Sequence, residues 1–278
     1  MKRLLSIELQ KIWKNKASRV LTIAYFALLS SLALIASIKF DIGPLHFDIA
    51  EMGIFNFPYI WHFNSYFASW FKLFLAVIIV SMMANEYSYG TLKQNLIDGM
   101  SKKEFIMSKF FTVILFALTS TLFVFLMSLI LGYSFSSFNE VAIVFSELDY
   151  LIAFFVELLG FFTICLFLGV LIKKSAFALG FLLVWKIFEG ICYLVMKWLF
   201  FDTWEKAYEA LGYFPLQSIS NLLPDPWRRL SILKSAGNQA GFDMSYDYSI
   251  HYSSIAIVLA WTAIFVFLSH YIIKKRDL

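Results

Sequence analysis

Three charged residues stand inside long apolar runs: Glu157, Lys186 and Glu189. An ionised side chain near the bilayer midplane costs roughly 2.5–3.5 kcal/mol on insertion scales, so each must face protein or water and find a partner. Lys186 and Glu189 are three residues apart and share a helix face. Glu157 is expected in the outer half of an antiparallel neighbour, within reach of the same layer. Two chemistries fit these residues. One is a polar site or ion relay on a transport path. The other is an internal charge pair that locks two helices together. Lys72 and Lys197 fall near the outer ends of apolar runs and are expected to snorkel to the interface.

Other chemistry finds no foothold. His46, His62, His251 and His270 are scattered without metal-ligand spacing, and there is no HExxH or clustered aspartate pair. No GxSxG nucleophile elbow and no GxxxxGK[ST] phosphate loop occurs, so no catalytic, cofactor-binding or metal residue is assigned. Cys165 and Cys192 both lie in apolar runs and read as small packing residues rather than a disulfide or metal pair.

The elements that must carry these residues follow from composition. Of 278 residues 60% are hydrophobic, 32 are phenylalanine and only 15% are charged. A soluble domain is nearer 45–50% apolar, so lipid is the expected solvent. A nucleic-acid partner would need a basic face in a soluble domain, which is absent. The N-terminal MKRLLSIELQKIWKNK lacks an apolar run followed by a small-residue cleavage site, so no cleavable signal peptide is expected. Six stretches reach the roughly 20 apolar residues that a spanning helix needs: 20–37, 66–84, 110–133, 151–172, 177–200 and 254–273. They make one transmembrane domain of all 278 residues, with 1–19 as an interfacial helix and 201–253 as the last external segment.

Basic residues sort by loop. The N-terminus carries Lys2, Arg3, Lys11, Lys14, Lys16 and Arg19; the second-to-third loop carries Lys93, Lys102, Lys103 and Lys109. The fourth-to-fifth turn is Lys173-Lys174 and the C-terminus is Lys274-Lys275-Arg276. The alternate loops differ: 38–65 has Lys39 against Asp41, Asp48 and Glu51, and 134–150 has Glu140, Glu147 and Asp149 with no base. The positive-inside rule therefore puts both termini in the cytoplasm of a multi-pass cell-membrane protein.

Residues 3–14 place Leu4, Leu5, Ile7, Leu9, Ile12 and Trp13 among Lys and Glu, an amphipathic helix suited to the inner interface. Segment 201–253 holds Trp204, Tyr208, Tyr213, Trp227 and the prolines 215, 224 and 226, which read as short interfacial or re-entrant helices. The most specific stretch is 85–104. Gly90-Thr91 can break the chain and start a short helix over about 92–98, and Gly99 sits where a left-handed residue ends a helix. Ser101-x-x-Glu104 is a capping box for the next helix.

Glu86, Gly90, Thr91, Ser101, Lys102 and Lys109, in this order between two spans, resemble the membrane subunits of type-2 ATP-binding-cassette (ABC) exporters. The six-span plan, the amphipathic N-terminal helix and the irregular segment before the last span extend the resemblance over nearly the whole chain. Many members have arginine where this chain has Lys102. The resemblance implies an all-α integral membrane protein: six transmembrane helices, an N-terminal interfacial helix, a cytoplasmic coupling helix, and short re-entrant helices before the last span. It implies a permease that meets a separate cytoplasmic ABC ATPase, which would supply ATP and Mg, and that pairs with a second permease subunit. The implied ATPase interface is Glu86, Gly90, Thr91, Lys93, Gln94, Leu96, Asp98, Ser101, Lys102 and Glu104. Two alternatives stand beside it. One is a secondary transporter or channel using Glu157, Lys186 and Glu189; the other is an ATPase-linked membrane anchor that does not itself transport.

Overall fold

A computed structural model describes residues 2–36, 39–42, 45–48, 53–229 and 247–276. The elements run α1 (Lys2–Lys14), α2 (Lys16–Ala36), β1 (Lys39–Ile42), β2 (Leu45–Asp48), α3 (Tyr59–Trp70) and α4 (Lys72–Ser88). They continue with α5 (Thr91–Ile97), α6 (Lys102–Phe135), α7 (Val141–Val144), α8 (Asp149–Ile172) and α9 (Ser175–Leu199). The last are α10 (Trp204–Leu211), α11 (Pro215–Ser220), a 3₁₀ turn (Trp227–Arg229) and α12 (Tyr252–Lys275). Among the described residues the regular structure is helical except for one antiparallel hairpin, β1–β2, in register Lys39 to Asp48. Of the external segments, Glu51 and residues 230–246 lie outside the described residues.

Among the described residues four helices are long and apolar enough to cross a membrane: α6, α7 with α8 (Val141–Ile172), α9 and α12. The bent pair α3–α4 makes up to five. The first expected span falls on the 21-residue α2. The second expected span, 66–84, needs correction. The apolar run holds no proline or glycine, yet the helix breaks at Phe71 and bends by 45°. The pair runs from Tyr59 to Ser88, so the first part of α3, residues 59–65, lies in what reads from sequence as loop.

Helix α8 is the centre of the bundle. Its sequence is apolar all round, which a helix tolerates only when enclosed, and 89% of its apolar window is buried, against 11% for α9. Small residues set its contacts, as they must where lipid gives no hydrophobic drive between helices. A Cβ on Gly160 would lie 2.7 Å from Val258 Cγ1 of α12, and one on Gly169 would lie 2.9 Å from Met83 Cβ of α4.

Polar contacts gather at the two ends of the bundle. At one end Arg276 donates to the Tyr87 hydroxyl (2.6 Å) and to the carbonyls of Val170 (2.7 Å) and Leu171 (3.1 Å). Lys102 donates to the carbonyls of Lys274 and Arg276 at 3.2 and 2.8 Å. At the other end Trp61 donates to Val144 O (2.8 Å), His62 Nε2 to Pro224 O (2.7 Å), and Arg229 to Glu147 (2.9 Å) and the Tyr150 hydroxyl (2.8 Å). The segments rich in lysine thus meet each other, and the acidic segments meet each other.

Candidate functional site

The helix expected over 92–98 is present as α5. Gly90 precedes it at φ +68 and Gly99 follows it at φ +96, two left-handed positions that glycine takes without a Cβ penalty. Met100 N then donates back to Asn95 O at 3.0 Å. The capping box is also formed. Glu104 N donates to Ser101 Oγ (3.1 Å), and Ser101 N donates to Glu104 Oε2 (2.9 Å). These bonds hold the Glu104 carboxyl below its ordinary pKa. A depressed carboxyl contributes stability above its unfolded pKa and loses it as pH falls through the lower folded value. We therefore expect Ser101→Ala to return the Glu104 pKa toward the ordinary carboxylate range. It should also fray the first turn of α6, at a cost of about 0.5–2 kcal/mol for the lost cap. Carboxyl chemical shifts and amide exchange over 102–105 read both effects.

Beneath α5 lies a group that sequence spacing alone does not assemble. Lys109 is fully buried, and its ammonium donates to Glu8 Oε2 and Glu86 Oε1, both at 2.6 Å. Lys11 reaches the same Glu86 oxygen at 2.9 Å and lies 3.6 Å from Glu8 Oε1. The second oxygen of Glu86 accepts from Thr91 Oγ1 at 2.5 Å and Asn95 Nδ2 at 3.4 Å. One carboxylate therefore holds α1, α4, α5 and α6 together. Burial lowers the Lys11 pKa, but the Glu86 hydrogen bond and the Glu8 and Glu86 charges outweigh it. The net value lies above that of an ordinary lysine. Two acids and two bases balance inside this clasp, and each carboxylate there has a bonded ammonium.

Helix α6 explains how a lysine comes to be there. Its 34 residues span about 50 Å at 1.5 Å per residue, against roughly 30 Å of hydrocarbon. Its first two turns therefore project past the apolar layer and carry Lys109 to the level of α1.

The clasp reassigns the expected interface residues. Glu86 is 3% exposed and faces inward, so it positions α5 rather than presenting itself to a partner. Leu92 is buried, and Leu96 is half-buried against the core. Lys102 is turned onto the α12 carbonyls. Lys93, Gln94, Asp98, Gly90, Ser101 and Glu104 are exposed, and Thr91 is half-exposed. Ile97 and Tyr89, 79% and 75% exposed, add apolar surface beside them. Glu8, Lys11 and Asn95 are the members of the site that sequence reasoning missed. The available signal was Glu8, the lone acid before Asp41 in a strongly basic N-terminus.

The intramembrane charges also pair differently from either sequence reading. Glu157 is bound by Lys72 at 2.5 Å, which ties α8 to the start of α4. Lys72 is thus an internal partner and not a snorkelling residue. Lys186 donates to Gln217 Oε1 at 2.8 Å. Glu189 accepts from Leu216 N and Gln217 N, both at 2.9 Å, capping α11, which has Pro215 in its first turn. Lys186 and Glu189 share a helix face but form no salt bridge among the described residues, because each finds its partner in α11. Lys197 donates to Asp202 O at 2.9 Å, just past the end of its helix.

Residues 24–278 match the family described as "Protein of unknown function (DUF2705)". The chain belongs to that family. The DUF2705 match covers everything from within α2 to the C-terminus, and so includes Glu86, Lys109 and the long helices from α3–α4 onward. Over 60 residues the chain is also 40% identical to "Uncharacterized protein YhcI" of Bacillus subtilis (strain 168). That stretch spans 22% of this chain and 19% of the relative. Among the described residues no group of three or more His, Cys, Asp or Glu is placed to hold a metal ion.

Proposed function

We propose that this DUF2705 protein crosses the cell membrane six times with both termini in the cytoplasm. There it would serve as the permease subunit of an ATP-driven exporter, moving a substrate outward with a separate ABC ATPase and a second permease subunit. The observation that carries the proposal is α5 itself. A seven-residue helix set between two left-handed glycines and held by a buried ion-pair clasp is a rigid surface feature. A connecting loop has no need of such anchoring. Its exposed side offers Lys93, Gln94, Ile97 and Asp98, an apolar centre among charges, which suits a cleft in a soluble partner. The clasp ties that helix to α4 and α6, so a push on α5 would be felt by two long helices at once.

The internal partners of Glu157, Lys186 and Glu189 favour this reading over a channel or secondary transporter built on those charges. A non-transporting, ATPase-linked anchor shares the α5 argument and is separated from the exporter by reconstituted transport.

The test places charge on the exposed side of α5 and leaves the clasp intact. With a Lys93→Glu, Ile97→Asp chain, association with the ATPase should weaken by roughly tenfold or more, as for a lost interface anchor. Membrane insertion and thermal stability should stay at wild-type values. Co-purification from native membranes, with the ATPase identified by mass spectrometry, reads the first; full association by the double variant would remove α5 as the docking element.

A further inference from the structure

Away from the clasp, a cavity of about 250 Å³ opens on the flank of the bundle, between the α3–α4 break, α8, α9 and α11. Its walls are Leu73, Phe161, Leu182, Leu183, Leu216 and Ile219, and two lysines, Lys72 and Lys186, line it with them. We infer that this cavity binds an amphipathic anion: one negatively charged headgroup attached to an acyl chain.

The arrangement of charge carries the argument. Lys72, Lys186, Glu157 and Glu189 sum to zero, and Lys72 is paired with Glu157, but of the four only the two lysines line the cavity. The two cations line the cavity, whereas both carboxylates stand behind its wall at 2% and 1% exposure. An ammonium has three N–H donors. Lys72 directs one at Glu157, and Lys186 directs one at the neutral amide oxygen of Gln217. Lys186 is exposed, near the middle of the 25-residue α9. A cation facing lipid at that depth, hydrogen-bonded to a neutral amide and with the Glu189 charge held by α11 one turn away, gains from an anion that joins it directly. A cationic ligand would meet two like charges, and a neutral apolar one would leave both ammonium groups desolvated.

Size and shape fix the rest. The cavity lies just below the roughly 300–1,000 Å³ of pockets that enclose a whole drug-sized ligand, so it suits a headgroup and the first methylenes. The chain would leave between Trp70 and Leu183, which are 56% and 67% exposed, and lie along the apolar surface of α9. The break at Phe71 lies beside the cavity, which takes Ser69 and Trp70 from one side of it and Lys72 and Leu73 from the other, in the manner of discontinuous helices that form sites at mid-membrane depth. The inference needs only that α4 and α9 stand in lipid. It does not depend on the exporter reading, since the site can fill in a chain that recruits no ATPase.

The probe is a diazirine-bearing palmitate, photolysed with the purified full chain in phosphatidylcholine nanodiscs and mapped by peptide mass spectrometry. Its methyl ester serves as the neutral control. The acid should label peptides around Trp70–Leu73 and Leu182–Leu183, and the ester should label them weakly. Labelling by the acid should fall roughly tenfold in K186Q, the scale of one lost charge-assisted contact, and return in K186R. L183W, which narrows the opening and keeps both lysines, should lower it as well. Competition identifies the source. Displacement by phosphatidylglycerol assigns the site to membrane lipid, and displacement by dodecyl phosphate alone assigns it to a single-chain anion. Equal labelling by acid and ester, unchanged labelling in K186Q, or displacement by neither competitor overturns the inference.

Discussion

Replacing Lys109 with methionine is expected to release α5 and α1 in a single step, at a cost of about 3–5 kcal/mol. The magnitude follows from burial. Lys109 is fully enclosed, and it is the one group that bonds both Glu8 and Glu86 at 2.6 Å. Without it, two carboxylates that are 5% and 3% exposed at the side chain share only Lys11, itself 40% exposed. Carboxylates so placed repel each other, and water must enter to relieve them. Amide exchange should accelerate over residues 3–14 and 88–100 and stay slow in α8, which touches none of the clasp's hydrogen bonds. The midpoint of thermal unfolding should fall as well. Adding Glu86→Gln to Lys109→Met should recover part of the loss, because it removes one of the two stranded charges. Protection unchanged over 88–100 would show that the left-handed glycines alone fix α5.

Lys72→Met is expected to have a similar cost, about 3–5 kcal/mol, by the same logic deeper in the bundle. Glu157 is 2% exposed and Lys72 is its ion-pair partner, at 2.5 Å. The break between α3 and α4 brings Lys72 to Glu157, so losing the pair should loosen α4 from α8. Cys165 is buried in α8, and maleimide should modify it faster in the variant. The double variant Lys72→Met, Glu157→Leu should regain much of the stability, since an apolar pair of similar volume replaces a buried ion pair at little net cost. If the double variant is as unstable as the single, the pair matters for geometry rather than for charge balance.

Much of the fold is legible in single residues. The apolar runs at 110–133, 151–172, 177–200 and 254–273 correspond to α6, α8, α9 and α12, because a helix that must satisfy its own backbone in lipid leaves a long, unambiguous signal. Short-range chemistry is equally clear. Gly90, Gly99 and the Ser101/Glu104 box act within four residues of each other or of their helix ends, where sequence distance is spatial distance. The break at Phe71 left no such mark. Its residues include no proline or glycine, and both α3 and α4 pack against α8.

The site divides in the same way. Sequence by itself selected Glu86, Thr91 and Lys109 as members of one motif, determined the apolar helices and sorted the lysines to alternate loops. Tertiary structure alone decided that Glu86 and Lys109 meet Glu8 and Lys11 from the far end of the chain, that Glu157 takes Lys72, and that Lys186 turns to Gln217. The physical reason is range. Helix and capping preferences are set by neighbours within a turn or two, whereas a buried charge takes whichever counter-charge the packing of separate helices brings within hydrogen-bonding distance.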